Sequence, residues 1–470
     1  MRRRNAGFLF AVLAVCLAPA CARRTDAPDA AGRYTAVVDR IRDAGLAGER
    51  AHRFLERICS VGPRLTGSAE ADAAVALSLE LMSDAGLTNV HSEPVEVGRW
   101  VRGRVAEASA APSTARPALP LAVAALGGSV GTPDVGLTAP VVEVRSLDEA
   151  SALGPKAAGR IVFFNRPMDR RLAEPFAAYG GAADQRVSGA SAAARVGAVA
   201  VLVRSMTFRE DRHPHTGMLR YEPGAPEVPA AAIATADADR LSALLREEPD
   251  VRVTLNLDCR NEGRVVSANA VGEIAGTERP DEIVLLGGHL DSWDLSVGAH
   301  DDAAGCAAAL EALALLQDLG LRPKRTVRAV FFMDEEFGGT GGRAYAASPL
   351  RKGERHIVAA ESDRGGFVPV GLAVGRPGSR ALERMTALRD LLRPFGIAAV
   401  GPGGGGVDVA PLVAGGAEPA AVLPNAQPYF DVHHSALDTV AAVHPRELEL
   451  QAIVLAILAY VLAQEGVGAP

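Results

Sequence analysis

The sequence predicts an α/β fold, in which a largely parallel sheet is flanked by helices and interrupted by a region of short strands. From residue 269 onward, apolar strands alternate with helices: strands are predicted at 283–286, 327–333 and 357–360, and helices at 303–319, 379–392 and 445–463. Such alternation is typical of parallel strands connected by helices. The second observation is a change of texture before residue 260, where turns rich in Gly and Pro separate much shorter apolar runs.

The beginning of the folded chain is predicted to be mainly helical. Helical patterns occupy residues 34–44, 49–60 and 69–85. These helices are expected to cover one side of the sheet. A strand is predicted at 91–98, where apolar and polar residues alternate. The Pro/Ala/Ser-rich stretch at 106–120 is interpreted as a linker, so residues 33–120 are assigned to the N-terminal part of the main domain and its linker.

Residues 127–258 are predicted to form an inserted, strand-rich domain. Short apolar runs lie at 140–144, 160–164, 198–203 and 251–255. His213 and His215 stand together in this region and are expected to be loop residues near the mouth of a site. The main domain then resumes and occupies residues 262–468.

Composition excludes some classes of function. The chain has 470 residues, of which 48% are hydrophobic and 22% charged, an ordinary balance for a globular protein. The formal net charge is −7, and no block of Lys and Arg stands apart from acidic residues. Nucleic acid is therefore not an expected partner.

The N-terminus predicts export. Three arginines precede an apolar run and then small residues, which indicates a signal peptide over residues 1–22. The segment ending at Cys21 also approximates a bacterial lipoprotein signal, which would attach a lipid to that cysteine. No later run reaches about 18 uninterrupted apolar residues, so no transmembrane span is expected in the mature chain. The expected location is periplasmic, secreted or lipid-anchored at the cell envelope.

Cysteines are too few for a disulfide framework or a zinc-thiolate site. Beyond the signal only Cys59, Cys259 and Cys306 remain, which allows one bridge at most. Thiolate zinc sites need paired cysteines a few residues apart. Any metal must therefore be bound by nitrogen and oxygen.

Carboxylates follow three successive predicted strands. His289 and Asp291 come directly after the first strand, the acids 334–336 after the second, and Asp363 after the third. Open α/β sheets bind ligands at this edge. Asp301 and Asp302 precede the helix at 303–319 and, in isolation, would be interpreted as helix caps. However, the other carboxylates are expected at the same edge of the sheet. A bound cation is therefore indicated instead.

The second imidazole is expected from His433 or His434, which lie on a loop before the last helix. Histidines and carboxylates suit zinc, or else manganese or cobalt, in a hydrolytic site. One metal cannot use so many carboxylates, whereas two metals about 3.5–4 Å apart can. A further carboxylate must then move the proton of the attacking water, and either Glu335 or Glu336 can do so while its neighbour binds metal.

Five ordered motifs resemble those of the zinc aminopeptidase and glutamate carboxypeptidase superfamily, and within it the carboxypeptidase Q branch. They are VGPRLTGSAEADAA, GGHLDSWDLSVGAHDD, LGLRPKRTVRAVFFMDEEFGGTGG, ESDRGG and HHSALDTV. The similarity extends from about residue 49 to 461. It implies a three-layer α/β/α zinc-exopeptidase domain with a mainly parallel mixed sheet, and an insert that resembles a protease-associated domain lying over the cleft.

The same resemblance implies a role for each site residue. Asp301 would bridge two zinc ions, with His289 and Asp363 on one and Glu336 and His434 on the other. Glu335 would be the general base.

It also implies roles for residues around these ligands. Asp291 would orient His289. His433 would pack beside His434, His300 would be no ligand, and Asp408 would lie near the substrate unless it is a solvated loop acid.

These residues predict a metallo-exopeptidase that hydrolyses small peptides, with dipeptides as the first expectation. An aminopeptidase acting on longer peptides is an alternative, because aminopeptidases and carboxypeptidases share this metal core. A single-zinc glutaminyl cyclase and a non-catalytic, receptor-like member are further alternatives, although no metal ligand is missing here. The homologous fold often forms a homodimer. The sequence itself leaves the oligomeric state open.

Overall fold

The computed structural model of the chain describes residues 30–112 and 117–468. The predicted signal segment and Cys21 therefore lie outside the described residues. The strands are β1 (Thr88–Val101), β2 (Ala106–Ala111), β3 (Leu119–Leu121), β4 (Val123–Ala125), β5 (Leu137–Val144), β6 (Ile161–Phe164), β7 (Ala200–Arg204), β8 (Ala230–Ile233), β9 (Arg252–Leu257), β10 (Arg260–Ile274), β11 (Arg279–His289), β12 (Arg325–Phe332), β13 (Arg355–Glu361), β14 (Pro369–Val374), β15 (Ala399–Gly401) and β16 (Glu418–Pro424).

The helices are α1 (Ala30–Leu46), α2 (Arg50–Cys59), α3 (Ala69–Asp84), α4 (Leu147–Leu153), α5 (Pro175–Gly180), α6 (Asp184–Val187), α7 (Gly189–Arg195), α8 (Thr235–Glu247), α9 (Ala304–Asp318), α10 (Thr340–Ala347), α11 (Arg380–Ala387), α12 (Arg389–Leu392), α13 (Ala410–Ala414), α14 (Tyr429–Val432) and α15 (Pro445–Glu465). A π-helical turn at Ala299–Ala303 precedes α9.

The main sheet is mixed, with a parallel centre. Its strand order is β1-β10-β12-β11-β13-β16-β14-β15. The four central strands, β12, β11, β13 and β16, pair in parallel, whereas β1 and β10 form an antiparallel edge. The central strands are buried on both faces, which explains why residues 283–286 of β11 and 329–332 of β12 are continuously apolar and do not alternate.

Helices cover both faces of this sheet and make the main domain three-layered, as predicted. The larger core lies under α1, α2, α3, α9, α11 and α15. The other face packs against α10 and α13 through a smaller core that includes Phe332 and Tyr345. Helix α9 is apolar on every side because it lies between the sheet and the outer helices α2 and α15.

Helix α15 is long and apolar enough to cross a membrane. Its most apolar window is, however, 83% buried inside the protein. It packs on α9 and against β11 and β12. Its composition is therefore that of a core helix.

A second sheet is built from residues 106–257. Its order is β3-β2-β9-β5-β6-β7-β8-β4, and the strands from β5 to β8 pair in parallel. The linker predicted at 106–120 is wrong, because β2 pairs with β9 over six residues and β3 pairs with β2. The Ala- and Pro-rich composition hid these strands. The region also contains α4 to α8 and packs apolar cores on both sheet faces, so it is an α/β unit and not only strand-rich.

Aromatic side chains join the insert to the main domain around the carboxyl edge of the main sheet. Trp293 and Trp100 of the main domain lie 6.5 Å apart between ring centroids and share one apolar core with Val123 and Val141 of the insert. On the opposite side, Tyr179 of the insert stacks on Phe430 of α14 at 4.7 Å. The insert thus covers the edge at which the predicted site residues emerge.

Candidate metal centre and active site

Strand register brings the predicted ligands to one place. His289 at the end of β11 lies opposite Phe332 of β12, and Glu361 of β13 lies opposite Gly287. Because the strands are parallel, the residues that follow them share one edge of the sheet. The loop after α14 brings His433 and His434 to the same edge.

The first group of ligands surrounds His289. Its Nε2 lies 3.2 Å from Oδ1 of Asp301 and 3.7 Å from Oδ1 of Asp363. Burial opposes protonation of this imidazole, but the carboxylates of Asp301 and Asp363 raise the pKa of His289 well above its ordinary value. The ring is therefore aimed at anionic oxygens, as a metal ligand of this edge would be.

The second group surrounds His434. Its Nε2 lies 3.1 Å from Oδ2 of Asp301 and 3.1 Å from Oε2 of Glu336. Burial again opposes protonation, whereas Glu336 and Asp301 raise the pKa of His434 well above its ordinary value. The two oxygens of Asp301 thus face different groups, Oδ1 toward His289 and Oδ2 toward His434.

The donor set fits a pair of zinc ions. The carboxylate oxygens Oδ2 of Asp301 and Oε1 of Glu336 are buried and accept no hydrogen bond from the described residues. Buried anionic oxygens are costly unless a cation or donor satisfies them. Imidazole nitrogen and carboxylate oxygen are the ligands of hydrolytic zinc sites. The five predicted ligands are therefore together, and they form two groups joined at Asp301.

The carboxylate of Asp302 has a structural role, unlike that of Asp301. Its Oδ2 accepts a hydrogen bond from the backbone N–H of His289 at 3.1 Å, and its Oδ1 accepts one from Gly305 at 3.0 Å. Both oxygens are thus occupied in fixing the end of β11 to the start of α9, although the carboxylate lies close enough to His289 and Asp363 to be considered as a ligand. The helix-cap interpretation holds for Asp302 and the cation interpretation fits Asp301.

His433 packs beside His434. The two rings stack at 3.5 Å between centroids, and His433 also contacts Tyr179 edge-on at 5.2 Å. Its Nε2 is 3.6 Å from Asp301 Oδ2, farther than that of His434, and burial holds its pKa well below the ordinary value. His433 lines the cavity of the site, so its predicted position near substrate is compatible with the structure.

Asp291 organises the turn that follows β12. Its Oδ1 accepts hydrogen bonds from the backbone N–H groups of Asp334 at 2.8 Å and Glu335 at 3.2 Å, and its Oδ2 accepts one from Glu336 at 3.3 Å. The predicted contact to His289 is made by the backbone: Nδ1 of His289 lies 2.9 Å from the carbonyl oxygen of Asp291 and 3.8 Å from its carboxylate.

His300 is fully engaged elsewhere, as expected for a residue that is no ligand. Its Nδ1 accepts a hydrogen bond from Gly366 at 3.0 Å, and its Nε2 donates to the carbonyl oxygen of Ala442 at 3.1 Å. Its ring stacks on Phe367 at 4.1 Å. Burial accordingly lowers the pKa of His300 to about 4.

Asp438 lies in the motif HHSALDTV, but the sequence alone did not indicate a role for it. Its carboxylate accepts hydrogen bonds from the backbone N–H groups of His300 at 2.7 Å and Asp301 at 3.1 Å. It thereby holds the backbone that presents Asp301. Burial raises the pKa of Asp438 to about 7. The only sequence signal was the acid in HHSALDTV.

Asp408 is fully buried, so the solvated-loop interpretation is wrong. Its Oδ1 accepts a hydrogen bond from Gly342 at 3.3 Å, and burial, together with the nearby Glu361, raises its pKa well above the ordinary value. It does not line the cavity, although its neighbour Val407 does. The structure thus places Asp408 behind the wall of the cavity, where it does not contact the cavity.

A cavity of about 290 Å³ opens onto both groups of ligands. Its walls include Glu335, Glu336, Asp301, Asp363, His433 and His434 from the main domain and Phe176, Tyr179, Arg186 and Met218 from the insert. Glu335 is half-buried in this wall, and burial raises its pKa well above the ordinary value. It is the wall carboxylate that stands next to Glu336, as the general-base prediction requires.

The insert also contacts the ligand loop directly. The backbone N–H of Thr216 donates to the carbonyl oxygen of His434 at 2.9 Å. Nδ1 of His215 lies 2.6 Å from the carbonyl oxygen of His433. His215 was expected near the mouth of the site, and the structure places it buried against the loop that carries both histidines.

Comparisons with known proteins agree with this geometry. A model of peptidase family M28 matches residues 269–460. The carboxypeptidase Q proteins of Bos taurus and Homo sapiens are 36% and 35% identical over 92% and 91% of this chain, and 89% of each relative is covered.

Solved structures give the same result. A peptidase M28 precursor from Shewanella amazonensis SB2B is 35% identical, with a TM-score of 0.88 over 93% of this chain and 98% of that one. A zinc aminopeptidase from Bacillus subtilis has the same fold, with a TM-score of 0.64 at 20% identity over 89% of this chain and 95% of that one. The chain therefore belongs to peptidase family M28, in which it stands with the carboxypeptidase Q proteins as a zinc metallo-exopeptidase.

Proposed function

We propose that this exopeptidase binds two zinc ions and hydrolyses short peptides, above all dipeptides, with Glu335 as general base. The observation that supports it best is the position of Asp301, whose two carboxylate oxygens each lie 3.1–3.2 Å from a different imidazole. A carboxylate in that position is suited to join two metal sites.

Each zinc ion would have its own set of side chains. His289 and Asp363 would hold one ion, Glu336 and His434 the other, and Asp301 would contact both. Bound there, the ions would polarise the scissile carbonyl and acidify the attacking water. Two ions are proposed over the one of a glutaminyl cyclase because the donors fall into two groups.

Glu335 is proposed to take the proton of the attacking water and pass it to the leaving amine. It lies in the cavity wall next to Glu336, and its carboxylate accepts a proton readily because burial raises its pKa. A raised pKa lies closer to neutral pH. A general base is most effective when its pKa is near the pH at which the enzyme works. Asp291 fixes the backbone of Glu335 and so keeps this base in place.

Short substrates are proposed because the cavity is small and covered. Its volume of about 290 Å³ is at the lower end of the roughly 300–1,000 Å³ of ordinary small-molecule pockets. Phe176 and Tyr179 of the insert close one side. An aminopeptidase that accepts long peptides would need an opening in this wall, through which the rest of the peptide could leave the cavity.

Export is part of the proposal. The Arg-rich, apolar N-terminal segment supports a signal peptide, and the S. amazonensis relative is itself a precursor. Mass spectrometry of the N-terminus of the mature chain decides between cleavage by a signal peptidase and lipidation at Cys21.

The test of the mechanism is Glu335→Gln, assayed on dipeptides after reconstitution with zinc. Loss of a general base typically costs 10²–10⁴-fold in rate, so we expect kcat to fall by roughly that factor while two equivalents of zinc remain bound. A variant that keeps its zinc and hydrolyses dipeptides at a comparable rate would show that another group is the base.

A further inference from the structure

A second pocket lies outside the active site, between the loop from α1 to α2 and the start of α15. Its volume of about 460 Å³ is within the roughly 300–1,000 Å³ of small-molecule pockets. Its lining consists of Leu46, Ala47, Gly48, Glu49, Arg53, Arg446 and Glu449. It shares no residue with the cavity of the metal centre, so a molecule bound there does not occupy the place of the substrate.

Charges of both signs face this pocket without pairing. Glu49 and Glu449 contribute carboxylates, and Arg53 and Arg446 contribute guanidiniums. Within the part of the chain that the structure describes, neither guanidinium lies within 4 Å of a carboxylate. Opposite charges in contact would neutralise one another. Both signs therefore remain available to a bound molecule.

Glu449 is the feature that separates this pocket from an ordinary charged surface. The residue is 1% exposed, and its Oε1 accepts a hydrogen bond from the backbone N–H of Ala51 at 2.7 Å. Its Oε2 is buried and has no hydrogen-bond partner among the described residues. The neighbouring Arg50 does not serve it, because that guanidinium is bound to Glu311 at 2.5 Å. A buried carboxylate oxygen without a donor is costly, so a donor from a bound molecule would be favoured.

Arg53 and Arg446 supply the positive charge of the pocket. Both are exposed, and they stand in the first turns of α2 and α15. The partial positive charge of a helix N-terminus adds to that of the guanidinium there. A guanidinium binds a carboxylate through two parallel N–H donors. The pocket thus offers acceptors for a cation and donors for an anion.

We propose that this pocket binds a free α-amino acid, with its ammonium group on Glu449 and its carboxylate on Arg53 and Arg446. An inorganic anion would leave Glu449 without a donor, and a simple cation would leave both guanidiniums without an acceptor. The ammonium group also favours the ionised form of Glu449, which burial otherwise disfavours. Free amino acids are what an exopeptidase releases, so the ligand belongs to the products of this enzyme.

Calorimetry of the zinc-loaded protein tests this site with leucine, because Leu46 and Ala47 add apolar lining. N-acetylleucine hydroxamate, which chelates zinc and has neither a free ammonium nor a free carboxylate group, first blocks the metal centre. We expect one equivalent of leucine to bind to the blocked protein. N-acetylleucine and leucinamide each lack one of the two charges, and each should bind roughly 10- to 100-fold more weakly.

Substitutions of the lining residues give a second readout. Glu449→Gln and Arg446→Gln should each weaken leucine binding roughly 10- to 100-fold, while the zinc content stays at the wild-type level. Arg380→Gln is the matched control, because Arg380 also lies in the first turn of a helix but pairs with Glu383 at 2.7 Å. It should bind leucine like the wild type.

Absence of leucine binding to the blocked wild type would overturn the proposal. Equal binding of N-acetylleucine would also overturn it, because Glu449 would then have no part in recognition. So would equal weakening by Arg380→Gln and Arg446→Gln, which would show attraction to overall charge and not to this pocket. If Glu449→Gln does not fold, Arg446→Gln and the leucine derivatives still decide. Glu335→Gln should bind leucine like the wild type, so a wrong assignment of the general base leaves this result intact.

Discussion

Nδ1 of His434 lies 3.3 Å from the backbone oxygen of Thr216. A histidine that binds metal through Nε2 usually donates its other ring nitrogen to such an acceptor, which fixes the ring. Thr216 belongs to the insert, whereas His434 belongs to the main domain. The insert therefore contacts the ring of a proposed ligand in addition to covering the cavity. His434 itself has a left-handed backbone with φ of 59°, a conformation that neighbouring contacts must maintain.

Removing the imidazole of His215 is expected to weaken zinc binding. Burial lowers the pKa of His215 to about 4, so the ring is neutral and its Nδ1 donates to the carbonyl oxygen of His433. In His215→Ala the loop that carries His434 loses this anchor. We expect zinc affinity at one site to fall roughly 10- to 100-fold, measured by titration against a competing chelator.

The control is His213→Ala. That side chain is 45% exposed and pairs with Asp211. It stands two residues away in the same loop but makes no bond to His433 or His434. If both substitutions weaken zinc equally, the effect belongs to the loop as a whole and the role given to His215 is wrong.

The sequence predicted that the site residues would meet at one edge of the sheet, because strand ends and acidic residues are local signals. His289, Asp363 and Glu336 each follow an apolar strand, and parallel strands necessarily end together. The choice of Asp301 over Asp302 was different, because it depends on which carboxylate the backbone N–H groups of His289 and Gly305 occupy. Here resemblance supplied what spacing alone could not.

Other features depended on contacts between distant segments and left no local pattern. The strand Ala106–Ala111 was hidden because Ala and Ser have no strong strand preference and its partner β9 lies more than 140 residues later. Arg186 and Thr216 stand far from the ligands in sequence and reach them only through the fold of the insert. The burial of Asp408 was missed because the glycines at 403–406 that precede it indicated a loop, while burial depends on packing.

Single substitutions of the proposed ligands should remove zinc in a defined pattern. Loss of His289 or Asp363 is expected to remove one equivalent per chain, and loss of Glu336 or His434 the other. Asp301→Ala should lose both, because its two oxygens serve both groups. Elemental analysis after reconstitution and dialysis measures this.

His433→Phe serves as the control for the second imidazole, since it keeps the stacking on His434 without a nitrogen. We expect it to retain two equivalents of zinc. A loss of one equivalent would make His433 a ligand, and retention of one full equivalent by Asp301→Ala would contradict the bridging role.

Asp291→Asn is expected to destabilise the protein and to lower kcat. An amide offers one acceptor oxygen where the carboxylate has two, so its NH₂ group must face backbone N–H donors of the 334–336 turn. Leaving buried donors unsatisfied costs about 1–3 kcal/mol, which calorimetry of the zinc-free protein should detect. Displacement of Glu335 should lower kcat more than it changes KM.

Thr66→Val provides the comparison, because the Thr66 hydroxyl donates to Oδ2 of Asp291 at 2.7 Å and the substitution leaves the bonds from the backbone N–H groups of the 334–336 turn in place. It should cost about 1 kcal/mol and leave kcat near the wild-type value. Equal effects of the two substitutions would mean that the carboxylate does not specifically support the turn.

Glu449→Gln should stabilise the protein at alkaline pH. Glu449 is 1% exposed, and its Oε2 has no hydrogen-bond partner among the described residues. Burial, reinforced by the nearby Glu311, raises its pKa from 4.5 to about 8. Between these values the unfolded chain has released this proton while the folded chain retains it, so the contribution of Glu449 to stability falls as pH rises from 4.5 to 8.

Glutamine does not ionise, and its amide oxygen can still accept the bond that Oε1 receives from the backbone N–H of Ala51 at 2.7 Å. The free energy of unfolding of Glu449→Gln should therefore match the wild type near pH 4.5 and exceed it by up to about 4–5 kcal/mol at pH 9. Chemical denaturation across this range measures the difference, with the exposed Glu383→Gln as a control that should show no such trend. A constant difference between pH 4.5 and 9 would show that folding does not raise the pKa of Glu449.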